Sequence, residues 1–405
     1  MKFYIRTLGC KMNWLDSARL AAALQVAGHQ PVSSEEEADY LFVNTCTVTS
    51  EADRKSKQTV NRMGRMQKRV AVMGCGPRVD GALWRDHSEE AVVFDNEEQL
   101  RAYFSIEEDE AQLPLSSRTR LPVAIQTGCD NECSFCITRV ARGAHRSLPQ
   151  DDIVRQVQLA FDNGIQEIVL TGINLAAWGC EDSRRPEQAR LHQLIEALLQ
   201  QTEIPRIRLS SLGPQFIQPQ FFDLFADERM CDYLHISLQS GSDSVLERMV
   251  RGHSTAEIID IAERARAVRP DTALAADMIT GFPGESDAEH RETVQLLQRL
   301  QFAKLHVFPY SEREGTPAAS AQNPVELSVR KERAGEIREL ARQMREAFIL
   351  QQMGKTFPVL VEGSGSGLSG NYIRLRTGEL AEGTIHQLKL RRENLAEPLS
   401  SDSAP

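Results

Sequence analysis

β-type and helical patterns alternate along the N-terminal part of the chain. Apolar segments rich in β-branched and aromatic residues predict strands at 3–7, 40–44 and 69–73. Between them, apolar residues recur at helical spacing, as at 17–24 and 51–66. Strands that alternate with helices predict an α/β domain with a parallel sheet, whose strands all end at the same edge. Open α/β sheets bind their ligands at that edge.

A second and longer alternation follows the segment 104–120, which is acidic, contains a proline and shows no apolar period. This segment predicts a linker. Helical stretches such as 151–162 and 291–300 then separate six candidate strands, which lie at 123–126, 167–171, 206–210, 234–238, 273–278 and 304–308. Six β/α units predict a partial or complete barrel, with its chemistry at the carboxyl ends of the strands.

The C-terminal part has a third pattern. A charged helix that ends near Gly354 carries an apolar face, which we interpret as facing the core, formed by Ile337, Leu340, Met344 and Phe348. Short candidate strands at 357–361, 372–375 and 384–390 predict a small β-barrel. The expected organisation is an N-terminal domain at 1–110, a barrel domain at 115–345, a small β domain at 350–395 and a disordered polar tail at 396–405.

Composition is that of a soluble globular protein and limits the possible partners. Of 405 residues, 41% are hydrophobic and 26% are charged. No apolar run could span a bilayer and residues 1–13 lack the features of a secretion signal, so we expect a cytoplasmic protein without a membrane partner.

The net charge of −10 argues against non-specific binding of nucleic acids over the whole surface, and DNA is not an expected partner. Any RNA contact must be local, and two basic clusters are candidates: Arg139, Arg142 and Arg146, and Lys389, Arg391 and Arg392.

Eight cysteines are too few for a disulfide framework, and a reducing cytosol favours metal ligation. Cys129, Cys133 and Cys136 form a CxxxCxxC motif just after a candidate strand. A loop this short can place three thiolates around one face of an iron–sulfur cubane, whereas structural zinc sites generally use four ligands. With three protein ligands, one iron keeps an open position for a cofactor or substrate. The alternatives are a chance grouping of cysteines and a zinc site completed by His145.

Another three cysteines are far apart in the sequence but are expected to lie close together in the folded protein. Cys10, Cys46 and Cys75 each follow one of the three N-terminal strands, so a parallel sheet brings them to one edge. A glycine precedes two of them, which predicts turns there, and a helix N-terminus after Cys46 favours its thiolate. We predict a second three-ligand cluster rather than three core cysteines. The cysteines outside both triads are interpreted as core residues: Cys180 and Cys231.

In their order along the chain, the motifs resemble those of the radical S-adenosylmethionine (SAM) methylthiotransferases. The resemblance covers nearly the whole sequence and rests on residues 7–13, 44–46, 141–143, 146–147, 170–174, 208–211, 235–242, 277–285 and 310–317. Several of these segments lie at predicted strand ends, where they could face one ligand. The turn at 281–284 is equally well explained as structure alone.

The resemblance implies two [4Fe-4S] clusters, one on each cysteine triad, with SAM at the open iron of the CxxxCxxC cluster. It also implies that the substrate is a tRNA, that an electron-donor protein is a partner, and that the C-terminal domain is an RNA-binding module of the TRAM type. The chemistry would lie at the clusters, without a side-chain acid or base. Expected SAM contacts are Phe135, Thr171, Gly172, Asn174, Ser210, Gln239 and Asp277, and expected RNA contacts are Arg374, Lys389, Arg391 and Arg392.

Residues 7–13 and 305–310 are most similar to the branch that inserts sulfur and methylates at C2 of N6-threonylcarbamoyladenosine next to the anticodon. The chain departs from the family pattern after Cys75, at 138–140, and at Glu132 and Gly213. These departures affect the shape of the pocket rather than cluster binding. The alternative acceptors are isopentenyladenosine and a ribosomal protein, and a further alternative is a non-catalytic iron–sulfur or zinc protein that binds RNA.

Overall fold

The computed structural model describes residues 1–87, 91–106 and 119–399. These residues form two compact units. The first combines the N-terminal segment with residues 127–145 and 311–319, and the second contains the rest. Most of the linker expected at 104–120, and residues 400–405 of the expected tail, lie outside the described residues.

The first unit is built on a parallel sheet, as the alternation predicts. Its strands are β1 (Lys2–Thr7), β2 (Gln30–Pro31), β3 (Tyr40–Thr45), β4 (Arg69–Gly74) and β5 (Ala91–Val93), in the order β2-β1-β3-β4-β5. Its helices are α1 (Lys11–Val26), α2 (Ser50–Gly64), α3 (Cys75–Val79), α4 (Gly81–His87), α5 (Glu97–Phe104) and α6 (Thr138–Arg142). Apolar side chains cover both faces of the sheet, with Phe42 in one buried cluster and Val43 in the other.

The second unit continues the alternation. Its strands, together with β7 at the boundary, are β6 (Arg120–Ala124), β7 (Gln126–Thr127), β8 (Arg146–Ser147), β9 (Glu167–Thr171), β10 (Arg206–Leu209), β11 (Ser211–Leu212), β12 (Tyr233–Gln239), β13 (Ala273–Thr280) and β14 (Lys304–Pro309). Its helices are α7 (Gln150–Asp162), α8 (Leu191–Gln201), α9 (Phe221–Phe225), α10 (Asp243–Arg248), α11 (Thr255–Val268), α12 (Asp287–Leu300) and α13 (Leu327–Gln352). Parallel strands pair in the orders β10-β9-β6 and β11-β12-β13-β14. The predicted α/β architecture, with six major strands in its barrel part, is confirmed.

A small antiparallel sheet follows α13. Its strands are β15 (Thr356–Glu362), β16 (Ser366–Ser369), β17 (Arg374–Arg376) and β18 (Ile385–Lys389), in the order β17-β16-β15-β18. This arrangement fits the small β module expected at the C-terminus. Phe348 of α13 packs in one buried cluster with Phe357 and Ile373 of this module, which confirms that the apolar face of the helix is directed to the core.

Charged side chains join the small sheet to the amino ends of the barrel strands. Glu167 begins β9, is fully buried, and pairs with Arg206 at 2.8 Å and Arg208 at 2.7 Å. Arg208 also donates to the carbonyl oxygens of Ser369 and Gly370 at 3.2 and 2.9 Å. Burial raises the pKa of Glu167, but the two guanidinium groups outweigh burial and lower it to about 2. The small sheet therefore packs at the amino ends, opposite the strand ends where barrel chemistry is expected.

The described end of the chain is ordered, in contrast to the expected tail. Glu397 accepts hydrogen bonds from Arg345 at 2.6 and 3.0 Å and from the backbone N–H of Arg374 at 3.2 Å. Glu397 is therefore fixed by an ion pair with α13, which the polar composition of this segment does not indicate. Across the described parts of the chain, no helix combines the length and apolar character needed to cross a membrane.

Candidate functional site

Three cysteines meet at the carboxyl edge of the N-terminal sheet. Cys10 precedes α1, Cys46 follows β3 and Cys75 begins α3, directly after the neighbouring strand β4. The Sγ atoms of Cys10 and Cys75 lie 3.7 and 3.6 Å from the same atom, Oδ1 of Asn13. A Cβ placed on Gly9 would lie 3.0 Å from Sγ of Cys46. Parallel strands thus bring these three thiols together from distant positions in the sequence.

The glycines before two of these cysteines are required by the backbone. Gly9 and Gly74 have φ angles of +101° and +98°, in the region that side chains disfavour. A Cβ on Gly74 would also lie 2.7 Å from the backbone nitrogen of Thr45. The turns expected before Cys10 and Cys75 are therefore present, and they bring each cysteine close to the neighbouring strand.

Burial disfavours the ionised form of two of the N-terminal thiols. Desolvation raises the pKa of Cys46 and Cys75 above the ordinary value for a thiol. Helix α2 begins four residues after Cys46, as the sequence predicts. A bound iron would stabilise the thiolates, because metal binding and thiol deprotonation are coupled. The donor set therefore fits an iron–sulfur cluster held by two buried thiols and one exposed thiol.

Asn13, the last residue of the motif at 7–13, organises this edge. Its side chain is fully buried, and its Nδ2 donates to the carbonyl oxygens of Leu8 and Thr45, each at 2.8 Å. Its Oδ1 is thereby oriented toward the thiols of Cys10 and Cys75. The asparagine links the ends of β1 and β3 beside the triad.

Arg142 of α6 reaches the same edge. Its side chain is 3% exposed, donates to Asp16 Oδ2 at 2.6 Å and also donates to Asn13 Oδ1. Its positive charge lowers the pKa of Cys46 and Cys75, against the larger effect of burial. Arg142 belongs, with Arg139 and Arg146, to one of the two basic clusters considered as candidates for RNA contact. That interpretation is wrong for Arg142, because its guanidinium is buried in an ion pair.

The CxxxCxxC loop lies in the same unit as the N-terminal triad. The backbone N–H of Cys129 donates to Gly143 O at 3.1 Å, and the N–H of Cys136 donates to Cys133 O at 3.0 Å, so the loop folds back on itself. Burial, together with the neighbouring thiols of Cys133 and Cys136, raises the pKa of Cys129 to about 11. Phe135 is half-buried between the last two cysteines.

The spacing of the thiols argues against a single zinc ion at either triad. All six cysteines are free thiols. Among the His, Cys, Asp and Glu side chains of the described residues, only one group of three has all its possible metal-ligand atoms within 4.8 Å of one another: His235, Asp277 and His306 of the barrel. In each cysteine triad, at least one pair of Sγ atoms is therefore more than 4.8 Å apart. A cubane is larger than one ion and spreads its ligands more widely, so the triads fit clusters better than mononuclear zinc.

Buried polar atoms without partners lie at the carboxyl ends of two adjacent barrel strands. Asn174 follows β9 and Ser210 follows β10, and neither Nδ2 of Asn174 nor Oγ of Ser210 has a hydrogen-bond partner. Gly172 lies so close to Gln126 that an added Cβ would be 2.8 Å from Gln126 Oε1, and the same oxygen accepts from the Asn174 N–H at 2.8 Å. Unsatisfied buried donors and acceptors are costly, so this strand edge fits a polar ligand.

Two other expected SAM contacts have distinct surroundings. Gln239 ends β12 with a φ angle of +73°, next to a shift in its pairing with β13. Asp277 lies in the middle of β13, and its Oδ1 is 3.1 Å from both His235 Nε2 and His306 Nδ1. Burial raises the pKa of Asp277, but the two imidazoles close to its carboxylate outweigh burial and hold the pKa well below its usual range.

The structure also shows the surroundings of the turn at 281–284 and of the basic residues expected to contact RNA. Glu285 accepts from the Gly281 N–H at 2.6 Å and from Arg333 at 2.7 Å, which supports a structural role for the turn. Arg374 pairs with Glu362 at 2.7 Å within the small sheet. The remaining candidates for RNA contact are exposed residues at one end of that sheet: Lys389, Arg391 and Arg392.

Comparisons with protein families agree with this arrangement. Residues 123–297 match the radical SAM superfamily, and residues 2–95 match a family described as uncharacterized protein family UPF0004. The first match covers the CxxxCxxC loop and most of the barrel strands, and the second covers the N-terminal triad.

Curated relatives match almost the entire chain. The threonylcarbamoyladenosine tRNA methylthiotransferase of Rickettsia prowazekii is 32% identical over 95% of this chain and 94% of its own length. The tRNA-2-methylthio-N(6)-dimethylallyladenosine synthase of Maricaulis maris is 32% identical over 90% of this chain and 87% of its own length. Among solved structures, the radical SAM methyltransferase TsrM of Kitasatospora setae superposes with a TM-score of 0.58 at 12% identity, over 78% of this chain and 77% of that one, which shows a shared fold.

Proposed function

This chain belongs to the radical SAM tRNA methylthiotransferases, and on that premise we propose that its acceptor is N6-threonylcarbamoyladenosine beside the anticodon, modified at C2. The presence of two separate cysteine triads in one unit supports the reaction type, because sulfur insertion and radical generation need two clusters. Residues 7–13 and 305–310 favour this acceptor over isopentenyladenosine. Relatives named for each acceptor are equally similar to the chain, at 32% identity, so the choice rests on those segments.

The six triad cysteines would hold two [4Fe-4S] clusters. When bound, the clusters and SAM supply the electron, the radical and the methyl group of the reaction. The protein contributes orientation and burial: Asn13 and Arg142 fix the N-terminal edge, and the turn from Cys129 to Gly143 fixes the CxxxCxxC loop. A low-potential electron-donor protein is required, and a cytoplasmic location follows from the tRNA substrate and from six thiols that must stay reduced.

Nucleoside mass spectrometry tests the acceptor. In cells that lack the gene, we expect the methylthio derivative of N6-threonylcarbamoyladenosine to disappear from tRNA and its precursor to accumulate. The methylthio derivative of isopentenyladenosine should be unchanged. A plasmid that carries the wild-type gene should restore the product, and the matched Cys46→Ala plasmid should not.

Three outcomes would contradict the proposal. Loss of the isopentenyladenosine derivative instead would assign the other acceptor. Unchanged tRNA nucleosides together with loss of a methylthio group from a ribosomal protein would assign a protein acceptor. Restoration by Cys46→Ala would indicate an RNA-binding role without catalysis at that triad.

We assign SAM and tRNA to separate sets of residues. The proposed SAM contacts are Phe135, Thr171, Gly172, Asn174, Ser210 and Gln239. Asp277 is left out because its carboxylate oxygen is paired with two imidazoles. The proposed tRNA contacts are Lys389, Arg391 and Arg392. Arg374 joins them when a tRNA phosphate replaces Glu362 as the ion-pair partner of its guanidinium.

Two matched variants test this separation in the reconstituted enzyme. Asn174→Ala should weaken SAM binding about tenfold, since a hydrogen bond to a charged ligand contributes about 1.5 kcal/mol. It should leave the salt dependence of tRNA binding unchanged. The double variant Arg391→Ala/Arg392→Ala should leave SAM binding unchanged and reduce the salt slope of tRNA binding by about two, one per lost phosphate contact. Equal SAM affinity in wild type and Asn174→Ala, or an unchanged slope in the double variant, would remove the corresponding assignment.

A further inference from the structure

Three metal-binding side chains converge on adjacent strands of the barrel, apart from both cysteine triads. His235 belongs to β12, Asp277 to β13 and His306 to β14. His235 Nε2 and His306 Nδ1 each lie 3.1 Å from Asp277 Oδ1, and the three ligand atoms are all within 4.8 Å of one another. Parallel pairing places Asp277 directly opposite His306, so the backbone itself fixes this grouping.

His235 carries the clearest sign of a missing ligand. Its side chain is 9% exposed, and its Nε2 has no properly aligned hydrogen bond even though Asp277 Oδ1 is only 3.1 Å away. Its other ring nitrogen, Nδ1, lies 3.2 Å from the hydroxyl of Tyr233, which fixes the ring. A buried ring nitrogen that is held in place without a well-aligned hydrogen bond is costly, and a bound ligand removes that cost.

The distances match the edges of a metal coordination shell. Nitrogen and oxygen ligands bind zinc at about 2.0–2.2 Å, which places neighbouring ligand atoms of a tetrahedral site about 3.3–3.6 Å apart, close to the distances found here. The contact of Nδ1 of His235 with Tyr233 is the outer hydrogen bond that metal-bound histidines usually make. An anionic ligand would be repelled by the carboxylate of Asp277, whereas a cation is attracted by all three groups.

We propose that His235, Asp277 and His306 bind one divalent transition-metal ion, in addition to the two iron–sulfur clusters. Two histidines and one carboxylate suit zinc or ferrous iron and leave coordination positions open. The side chain of His306 is 41% exposed, so the open side of the site faces His306 and is accessible from solution. This proposal is independent of the identity of the acceptor adenosine.

The experiment uses Zn²⁺ as the probe and the enzyme with both clusters loaded. Protein is equilibrated with zinc without oxygen, desalted and examined by elemental analysis and zinc X-ray absorption. We expect about one zinc per chain, with nitrogen and oxygen neighbours at about 2.0 Å and no sulfur at about 2.3 Å. His306→Ala and Asp277→Asn each remove a proposed metal ligand. Each should weaken zinc binding by more than the roughly 10–100-fold that follows from losing a residue that only hydrogen-bonds to a ligand.

His290→Gln is the matched control, because His290 is a buried histidine that pairs with Glu336 at 2.8 Å outside this group. It should keep the zinc. His306 is partly exposed, so His306→Ala is expected to fold, and an unchanged iron content checks that it does. Equal zinc in wild type and His306→Ala, a sulfur shell in the absorption spectrum, or no retained zinc in wild type would each overturn the proposal.

Discussion

Cys46→Ala is expected to abolish methylthiolation of tRNA while leaving reductive cleavage of SAM intact, and Cys133→Ala is expected to abolish both. The two cysteines belong to different triads, so each substitution removes a ligand from a different cluster. SAM cleavage depends on the CxxxCxxC cluster, whereas product formation depends on both. The measurement is anaerobic turnover with tRNA, in which 5′-deoxyadenosine and the methylthio nucleoside are quantified together.

Cys180→Ala is the matched control for both variants. Cys180 is buried, its Sγ lies 3.5 Å from the carbonyl oxygen of Arg185, and it belongs to neither triad. It should retain both activities. Loss of SAM cleavage in Cys46→Ala would contradict the assignment of separate tasks to the two triads, as would product formation by that variant.

Arg142→Met is expected to lower the reduction potential of the N-terminal cluster and to reduce methylthiolation far more than SAM cleavage. The guanidinium is buried beside the triad and is held there by Asp16 and Asn13. Reduction adds negative charge to a cluster, so a nearby cation stabilises the reduced state, and little water is present to screen it. Methionine fills a similar volume without the charge.

A redox titration monitored by electron paramagnetic resonance measures this effect. Arg142→Lys keeps the positive charge but not the guanidinium, and it should restore most of the reduction potential. If the guanidinium acted only through its structure, the lysine would not restore the potential. Arg139→Met is the matched control on the same helix, because Arg139 is exposed and pairs with Glu132 at 2.9 Å. An unchanged potential in Arg142→Met, or an equal decrease in Arg139→Met, would show that Arg142 does not tune the cluster.

Much of the fold follows from local sequence patterns. The predicted strands at 3–7, 40–44 and 69–73 correspond to β1, β3 and β4 within a residue or two, because short apolar runs between turn residues have few alternatives. The meeting of Cys10, Cys46 and Cys75 also follows from the sequence, since it needs only parallel strands and a cysteine after each. The first barrel strand was placed about two residues late, because Gln126 belongs to a separate short strand.

Contacts between distant side chains were not predictable in the same way. Arg142 was grouped with Arg139 because the two are close in sequence, but the short helix α6 directs Arg142 toward Asp16 and leaves Arg139 exposed. His235 and His306 carry no sequence signal as a pair, because 70 residues separate them and a single histidine in a strand usually packs as a core residue. Only strand register brings them to Asp277.

Iron quantification combined with Mössbauer spectroscopy tests most directly whether the chain holds two separate cubanes. Wild-type protein loaded with ⁵⁷Fe should contain about eight irons per chain as [4Fe-4S] clusters, because each cubane has four. The triple variant Cys10→Ala/Cys46→Ala/Cys75→Ala and its counterpart Cys129→Ala/Cys133→Ala/Cys136→Ala should each retain about four. About four irons in wild type, or loss of all iron in either triple variant, would contradict two independent clusters.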